Sequence, residues 1–426
     1  MKLASRLIAI ALFSAITACA PMNAEPAMAP APIPAPAPAS GQGTAEARTP
    51  VTILISIDGF RPDYLRKGDT PVLDALAAAG AEGPMRPSFP SLTFPNHTAI
   101  VTGLRPDRNG IVSNTMYDAR RPEARFSLGD AKEATDPFWW DESEPIWITA
   151  EKQGIHSSLM FWPGGEVSHE GVRAFDWSRY DANFSGDQRV RAALDWMRRP
   201  AAIRPRFMTL YFDTVDKHGH KEGPFSPETR EAIRAVDGQI GVLRDGLAAL
   251  GQQANLVILS DHGMAEIGPD RLITLDKILP RDLYRIAVQG PHAGIDPLPG
   301  KEAAVEKALL APRDHVRCWR KQDLPERFHY GKNPRVPAIF CLADMGWELL
   351  QAPPATWSKG DHGFDPDAPD MAALLILNGP AFVPGAAMPA RIDNVDVYPL
   401  LARLIGVSPL PGDGDPAILD GMLVAP

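Results

Sequence analysis

One hydroxyl, three carboxylates and three imidazoles in this chain stand in settings where they could do chemistry together. Thr93 lies in FPSLTFPNHTAIVTG, residues 89–103, just ahead of Pro95 and the apolar run Ala99, Ile100, Val101. That pattern predicts a helix with Thr93 at its N-terminus, where free N–H groups and the positive end of the dipole favour an anion. A threonine hydroxyl is a weak nucleophile at neutral pH unless a base or a metal takes its proton, so chemistry at Thr93 requires activating groups from elsewhere. The candidates are Asp58 in SIDGF, Asp216 and His220 in VDKHGH, Asp261 and His262 in LSDHGM, and His362 in GDHGF. Mixed carboxylate and imidazole sets suit zinc, and these six groups with Thr93 are about what two adjacent four-coordinate ions need. Singly, each reads equally well as a solvated loop residue, or for Asp58 as a turn residue before Gly59. Their placement along the chain carries the case.

Most of them follow predicted strands. VTILISI (51–57) is an almost unbroken apolar run rich in β-branched residues, the pattern of a central parallel strand covered on both faces, and Asp58 comes directly after it. RFMTLYF (206–212) precedes Asp216 and His220, NLVILS (255–260) precedes Asp261 and His262, and MAALLILNG (371–379) follows the His362 loop; HSSLMFW (156–162) is a further candidate strand. Helices alternate with them. One is punctuated by Asp69 or Thr70 as cap, Pro71 in the first turn and Gly80 as stop; another runs from Ser226 to Leu250 with Ile233, Val236, Ile240, Leu243 and Leu247 on one face. The expectation is an α/β protein with a doubly wound, mostly parallel sheet flanked by helices, whose ligands bind at the carboxyl ends of the strands. Between residues 265 and 358 the rhythm loosens to one helix (Glu302 to Leu310) and short apolar segments, which predicts a small α/β insertion. It falls between His262 and His362 and is therefore read as part of the same unit.

The remaining composition narrows the function classes. A chain of 426 residues, 45% hydrophobic and 22% charged, can bury a sizeable core. Its formal net charge of -9 argues against duplex nucleic acid as a partner, so an anionic substrate would have to be attracted locally, most simply by bound cations. MKLASRLIAIALFSAITAC (1–19) has the basic start, apolar run and small residues of a secretory leader. Ile16-Thr17-Ala18-Cys19 resembles a bacterial lipobox, which would place a lipid anchor on Cys19; a plain leader cleaved nearby is the alternative. Residues 20–50 are dominated by Pro and Ala and read as an extended tether rather than part of a core, or less simply as a site for a proline-binding partner. The globular body is expected over 51–426, exported to a bacterial periplasm or held at a membrane only through the anchor. Cys318 and Cys341 remain there, as one disulfide contributing about 3 kcal/mol or as two buried thiols.

IDGFRPDYL, MRPSFPSLTFPNHTAIVTGLRPDRNGIVSNTMYD, FWPGGEV, VDKHGHKEGP, LSDHGM and GDHGFDP together resemble the nucleotide pyrophosphatase/phosphodiesterase family of the alkaline phosphatase superfamily, from about residue 51 to 405. The resemblance implies two zinc ions and Thr93 as nucleophile. One zinc would take Asp216, His220 and His362, and the other Asp58, Asp261, His262 and the Thr93 oxygen. Asn114 matches an asparagine that binds a non-bridging phosphate oxygen, and Phe94 a ring that stacks on a nucleobase, with core packing as its alternative. Tyr180 is the candidate for the opposite wall of that slot. His218, two residues from both Asp216 and His220, falls outside the implied ligand set. Asn109 stands where many relatives carry a histidine before the glycine of DRNGI. None of the motifs supplies an Arg or Lys for a second phosphate oxygen, which favours a singly charged diester. The implied substrate is a nucleotide, cleaved to a nucleoside 5'-monophosphate. A phospholipid-type phosphodiesterase or a phosphomonoesterase on the same scaffold is the rival, and a non-catalytic binding protein displayed on the membrane is the alternative of a different class.

Overall fold

The computed structural model describes residues 48–425, so the leader and most of the Pro/Ala segment lie outside the described residues. The main sheet uses strands β1 (Val51–Ile57), β2 (Ala81–Met85), β3 (Ser157–Met160), β4 (Asp176–Ser178), β5 (Phe207–Phe212), β6 (Ala254–Leu259) and, from the end of the chain, Ala373–Asn378. Its spatial order is β2, Ala373–Asn378, β6, β1, β5, β3, β4. β1 pairs in parallel with β5 and β6, and β3 pairs in parallel with β4 and β5. The Ala373–Asn378 strand runs antiparallel to both of its neighbours. The sheet is therefore mostly parallel, as the apolar runs imply.

Alternation within β1 shows why those runs are unbroken. Ile53, Ile55 and Ile57 point into one core, and Leu54 into the other. Helices α1 (Pro71–Ala79) and α5 (Pro227–Ala249) close the first face. Helices α2 (Thr93–Thr102) and α6 (Val397–Ile405) close the second. In α5 the apolar residues Ile233, Val236, Ile240, Leu243 and Leu247 are all buried, while Ser226 accepts from the N–H of Thr229 as its cap. α1 begins at Pro71 with Thr70 in the cap position, but neither Thr70 nor Asp69 caps it through a side chain. Asp237 of α5 takes the N–H groups of Val72 and Leu73 instead, and Asp69 is held by Arg230 and Arg234. Helices α3 (Gly186–Met197) and α4 (Thr214–Glu222) flank β5 in sequence.

Between β6 and the last strand the chain builds a separate four-stranded antiparallel sheet. Its strands are β7 (Tyr284–Val288), β8 (His292–Pro297), β9 (Val316–Arg320) and β10 (Ile339–Ala343), in the order β7, β8, β10, β9. Helix Glu302–Leu309 packs Val305 and Leu309 into the same cluster as Ile295, Ile339 and Cys341. Cys318 and Cys341 sit directly opposite one another on β9 and β10 and are joined by a disulfide. No helix among the described residues is long and apolar enough to cross a membrane.

Candidate active site

The carboxyl ends of three adjacent parallel strands converge. Asp58 follows β1, Asp261 follows β6, and Asp216 lies one helical turn past β5, on α4 with His220. Spacing of i, i+4 puts Asp216 and His220 on one face of that helix. His362 comes from a loop whose residues Gly360–Asp361 pair with Ala265–Glu266. A Cβ at Gly360 would lie 2.4 Å from the Gly219 carbonyl, so only glycine lets this loop rest against the helix that carries His220. Thr93 is the first residue of α2, with its hydroxyl 3.3 Å from Nε2 of His262.

The donor set has a consistent pattern. His220, His262 and His362 place Nδ1 at 2.9 Å from the carbonyls of Gly360, Gly263 and Ser91 respectively. A carbonyl only accepts, so each Nδ1 carries a proton, and in its neutral form each ring presents a bare Nε2 to the site. Those Nε2 atoms face carboxylates. That of His262 lies 3.0 Å from Asp261 and 3.4 Å from Asp58; those of His220 and His362 lie 3.4 and 3.6 Å from Asp216. The oxygens they face, Asp58 Oδ1, Asp216 Oδ1 and Asp261 Oδ2, are buried without a hydrogen-bond partner. In that neutral form lone pairs face lone pairs, which is repulsive at such distances unless cations stand between them, and a mixed Asp/His set of this kind fits zinc. Donor atoms of Asp216, His262 and His362 fall within 4.8 Å of one another, as do those of His220, Asp361 and His362, and those of Asp58, His97 and Asp261.

The electrostatics of the set is mixed: burial pushes His220 and His262 down, but the neighbouring carboxylates, Asp216 for His220 and Asp261 for His262, outweigh it and raise both. Burial, reinforced by the charges of Asp261 and Asp216, pushes Asp58 well above the ordinary carboxylate range, although Tyr211 donates a 2.5 Å hydrogen bond to its other oxygen. Burial also raises Asp216. Asp261 goes the other way: burial pushes it up, but attraction to His262 and His97 outweighs burial and holds it well below its usual value. Burial, together with neighbouring His262 and His220, drives His362 well down and so keeps it in the ligand form.

Sequence reading passed over several residues that the fold brings to the site. His97, one turn along α2 from Thr93, bonds the Thr93 carbonyl through Nδ1 and the Ser56 hydroxyl through Nε2, with Asp261 at 3.3 Å. Both of its nitrogens are engaged, so it braces Asp261 and the start of α2; its i+4 spacing from Thr93 was the available signal. Asp361, adjacent to His362, meets the buried carboxyl of Glu348, which burial and Asp361 push up to about 9. A cavity of about 530 Å³ opens over the site, with Phe94, Asn114, Tyr180, Lys217 and Arg179 in its wall. Asn114 accepts from the Phe94 N–H through its oxygen, which leaves its amide NH₂ for the cavity. Phe94 packs edge-on to Phe126 and still lines the cavity, so packing and exposure to a ligand coexist at that ring. Tyr180 is 42% exposed and donates to Asp213 at 2.6 Å. The sequence reading assigned no cation to the phosphate, but the folded chain places Arg179 and Lys217, the latter from the VDKHGH motif itself, in the cavity wall. His218 lines a different hollow beside α3 and α5, and Asn109 folds back onto Leu104 and Ile111.

A mostly parallel α/β sheet with a Thr nucleophile candidate and two adjoining Asp/His groups at its strand ends defines a metal-dependent hydrolase scaffold of the alkaline phosphatase kind. A sequence profile described as type I phosphodiesterase / nucleotide pyrophosphatase matches residues 52–365, and the chain belongs to that family. Mouse ectonucleotide pyrophosphatase/phosphodiesterase family member 1 is 37% identical over 398 residues, which cover 89% of this chain. The match spans only 43% of the mouse protein, less than half its length. Xenopus laevis bis(5'-adenosyl)-triphosphatase enpp4 is 35% identical over 370 residues, 86% of this chain and 80% of that one. Among solved structures, an inactive variant of murine ectonucleotide pyrophosphatase/phosphodiesterase 5 in complex with AMP superposes with a TM-score of 0.84 at 32% identity, covering 88% of this chain and all of that one.

Proposed function

We propose that this protein hydrolyses phosphodiester and pyrophosphate bonds in nucleotides and releases a nucleoside 5'-monophosphate, with Thr93 as the nucleophile. The observation that carries the reading is the position of the Thr93 hydroxyl, at the N-terminus of α2 and 3.3 Å from His262, beside carboxylate oxygens that no protein group satisfies. Asp58, Asp261, His262 and Thr93 would hold one zinc, and Asp216, His220 and His362 the other. When bound, the pair would lower the pKa of the threonine hydroxyl and neutralise charge on the phosphate oxygens.

The chain's own residues do the rest. Thr93 Oγ attacks phosphorus, and the bond to the leaving oxygen breaks on the opposite side, toward Asp216 and His220. Water then hydrolyses the phosphothreonine ester from that side and restores Thr93. The Asn114 amide donates to a non-bridging oxygen, and the N–H groups at the start of α2 face the same charge. Phe94 and Tyr180 hold the nucleobase as two walls of the cavity. The bound AMP of the murine relative supports a nucleotide substrate. Residues 1–19 would direct export as a lipoprotein-type leader, and 20–50 would tether the body of 51–426, including the 265–358 insertion, at a bacterial envelope membrane.

The test is steady-state hydrolysis of ATP and of a thymidine monophosphate nitrophenyl ester by the zinc-loaded protein, with products separated by chromatography. AMP and pyrophosphate from ATP are the expected products. Turnover of bis-p-nitrophenyl phosphate with ATP left intact would remove the nucleotide reading in favour of a phospholipid-type diester. No turnover of any ester would leave a binding protein.

A further inference from the structure

Two residues from the 265–358 stretch grip the loop that carries His362, one on each side of it. His292, the first residue of β8, is fully buried, with its ring stacked on Phe340 at 5.1 Å between centroids. Its Nδ1–H donates to the carbonyl of Gly363 at 2.8 Å. Glu348, also buried, sets its carboxyl against that of Asp361. The residues immediately before and after His362 are thus both held from outside the main sheet, while His362 itself is anchored to Ser91.

The grip matters because of what lies beside the ligand. Gly363 has φ of +108°, in the region that glycine alone enters freely, and on its own is the most pliant residue type in the loop. Coordination tolerates displacement of only about 0.2 Å. A ligand next to such a residue keeps its direction only if something external restrains the peptide, and His292 is the group in contact. A Cβ at Gly363 would meet its ring at 3.0 Å, so the two are already at packing distance. The geometry points to His292 as a positioning residue: through the Gly363 carbonyl it sets the direction of His362 Nε2, which makes the small antiparallel sheet a working part of the Asp216–His220–His362 group.

This inference rests on His362 being a metal ligand, as proposed above, and its test reads metal binding rather than turnover. Zinc is titrated into the metal-stripped protein against a chromogenic chelator for the wild type, His292→Leu, His292→Asn and Glu348→Ala. His292→Leu is expected to keep one zinc at wild-type affinity and to weaken the second about tenfold or more, the scale seen when a group that orients a ligand is removed. His292→Asn, whose amide can donate to the same carbonyl, is expected to recover most of that loss, which a role in packing alone would not produce. Binding of both zincs by His292→Leu at wild-type affinity overturns the inference, and so does an Asn variant no better than Leu. If His292→Leu fails to fold, Glu348→Ala decides: selective weakening of one zinc supports the clamp, and unchanged binding of both overturns it. A wild type that takes up a single zinc overturns the ligand assignment along with the clamp, whereas a normal wild type beside a normal variant overturns the clamp alone.

Discussion

The two halves of the site differ in their access to water. The side chains of Asp58, Asp261 and His262 are 2%, 0% and 0% exposed, whereas Asp216 and His220 on α4 are 16% and 31% exposed, with His362, at 5%, buried behind them. The closed half is built from residues at the ends of strands β1 and β6, joined by the Gly59 N–H on Asp261, with Asp58 held in addition by Tyr211 of β5. The open half is assembled from a helix and a loop, α4 and Gly360–Gly363. A closed half keeps the groups beside Thr93 dry and fixed, where electrostatic interactions are strongest. An open half admits water and lets a leaving group depart. The asymmetry suits a two-step hydrolysis, in which one side must be preorganised and the other accessible.

The sharpest way to break this comparison is at Thr93, the proposed nucleophile. Thr93→Ala should lower kcat at least about a thousandfold, the scale of losing a group on which the chemistry depends, while both zincs remain by direct metal analysis. Substantial residual turnover would move the nucleophile out of the closed half. Acid provides the next test, behind the open half. Burial holds the His292 imidazole down at about 4, so between its unfolded value near 6.5 and that pH the folded chain binds fewer protons than the unfolded one. Stability present above about 6.5 is therefore lost as the pH falls through about 4, by up to about 3 kcal/mol for this group. Urea unfolding of the wild type and His292→Asn across that window should show the steeper loss in the wild type; parallel curves would refute it.

Metal removal should then separate the halves directly. Chelator challenge is expected to release zinc in two phases, with the open half emptying roughly tenfold faster, as the scale of ligand support implies. Release in one phase would mean that the exposure difference has no bearing on metal retention. The mildest effect is expected at the cavity wall. Phe94→Ala should cost about 1.5 kcal/mol, or about tenfold in kcat/KM, on a nucleotide ester relative to bis-p-nitrophenyl phosphate. An equal loss on both substrates would reduce Phe94 to packing against Phe126.

The closed half was more legible in the sequence than the open half. Asp58 and Asp261 each follow an apolar strand, so a local pattern places them at the sheet's functional edge, and i, i+4 spacing pairs Asp216 with His220. No local signal shows that Glu348 would reach Asp361, or that His292 would reach Gly363 across 71 residues. Lys217 illustrates the same gap. It falls inside the VDKHGH motif, yet its place in the cavity wall beside Tyr180 depends on how β4 and α4 pack.

By itself the sequence determined five of the seven main-sheet strands and helices α1, α2 and α5 beside them, though not β2, β4 or α3, together with the sheet's mostly parallel character and the chemical types gathered at the strand ends. Those features depend on periodicity and on residue chemistry, which are properties of short stretches. The tertiary structure alone decided that the Ala373–Asn378 strand enters antiparallel, that all three imidazoles turn a bare Nε2 inward, and that His97 braces Asp261. Apart from the His262 ring, held by the adjacent Gly263 carbonyl, each depends on groups brought together by the fold, such as His362 and the Ser91 carbonyl, 271 residues apart. A side chain takes its direction from whatever satisfies its other polar atoms, and those partners exist only once the chain has closed around them.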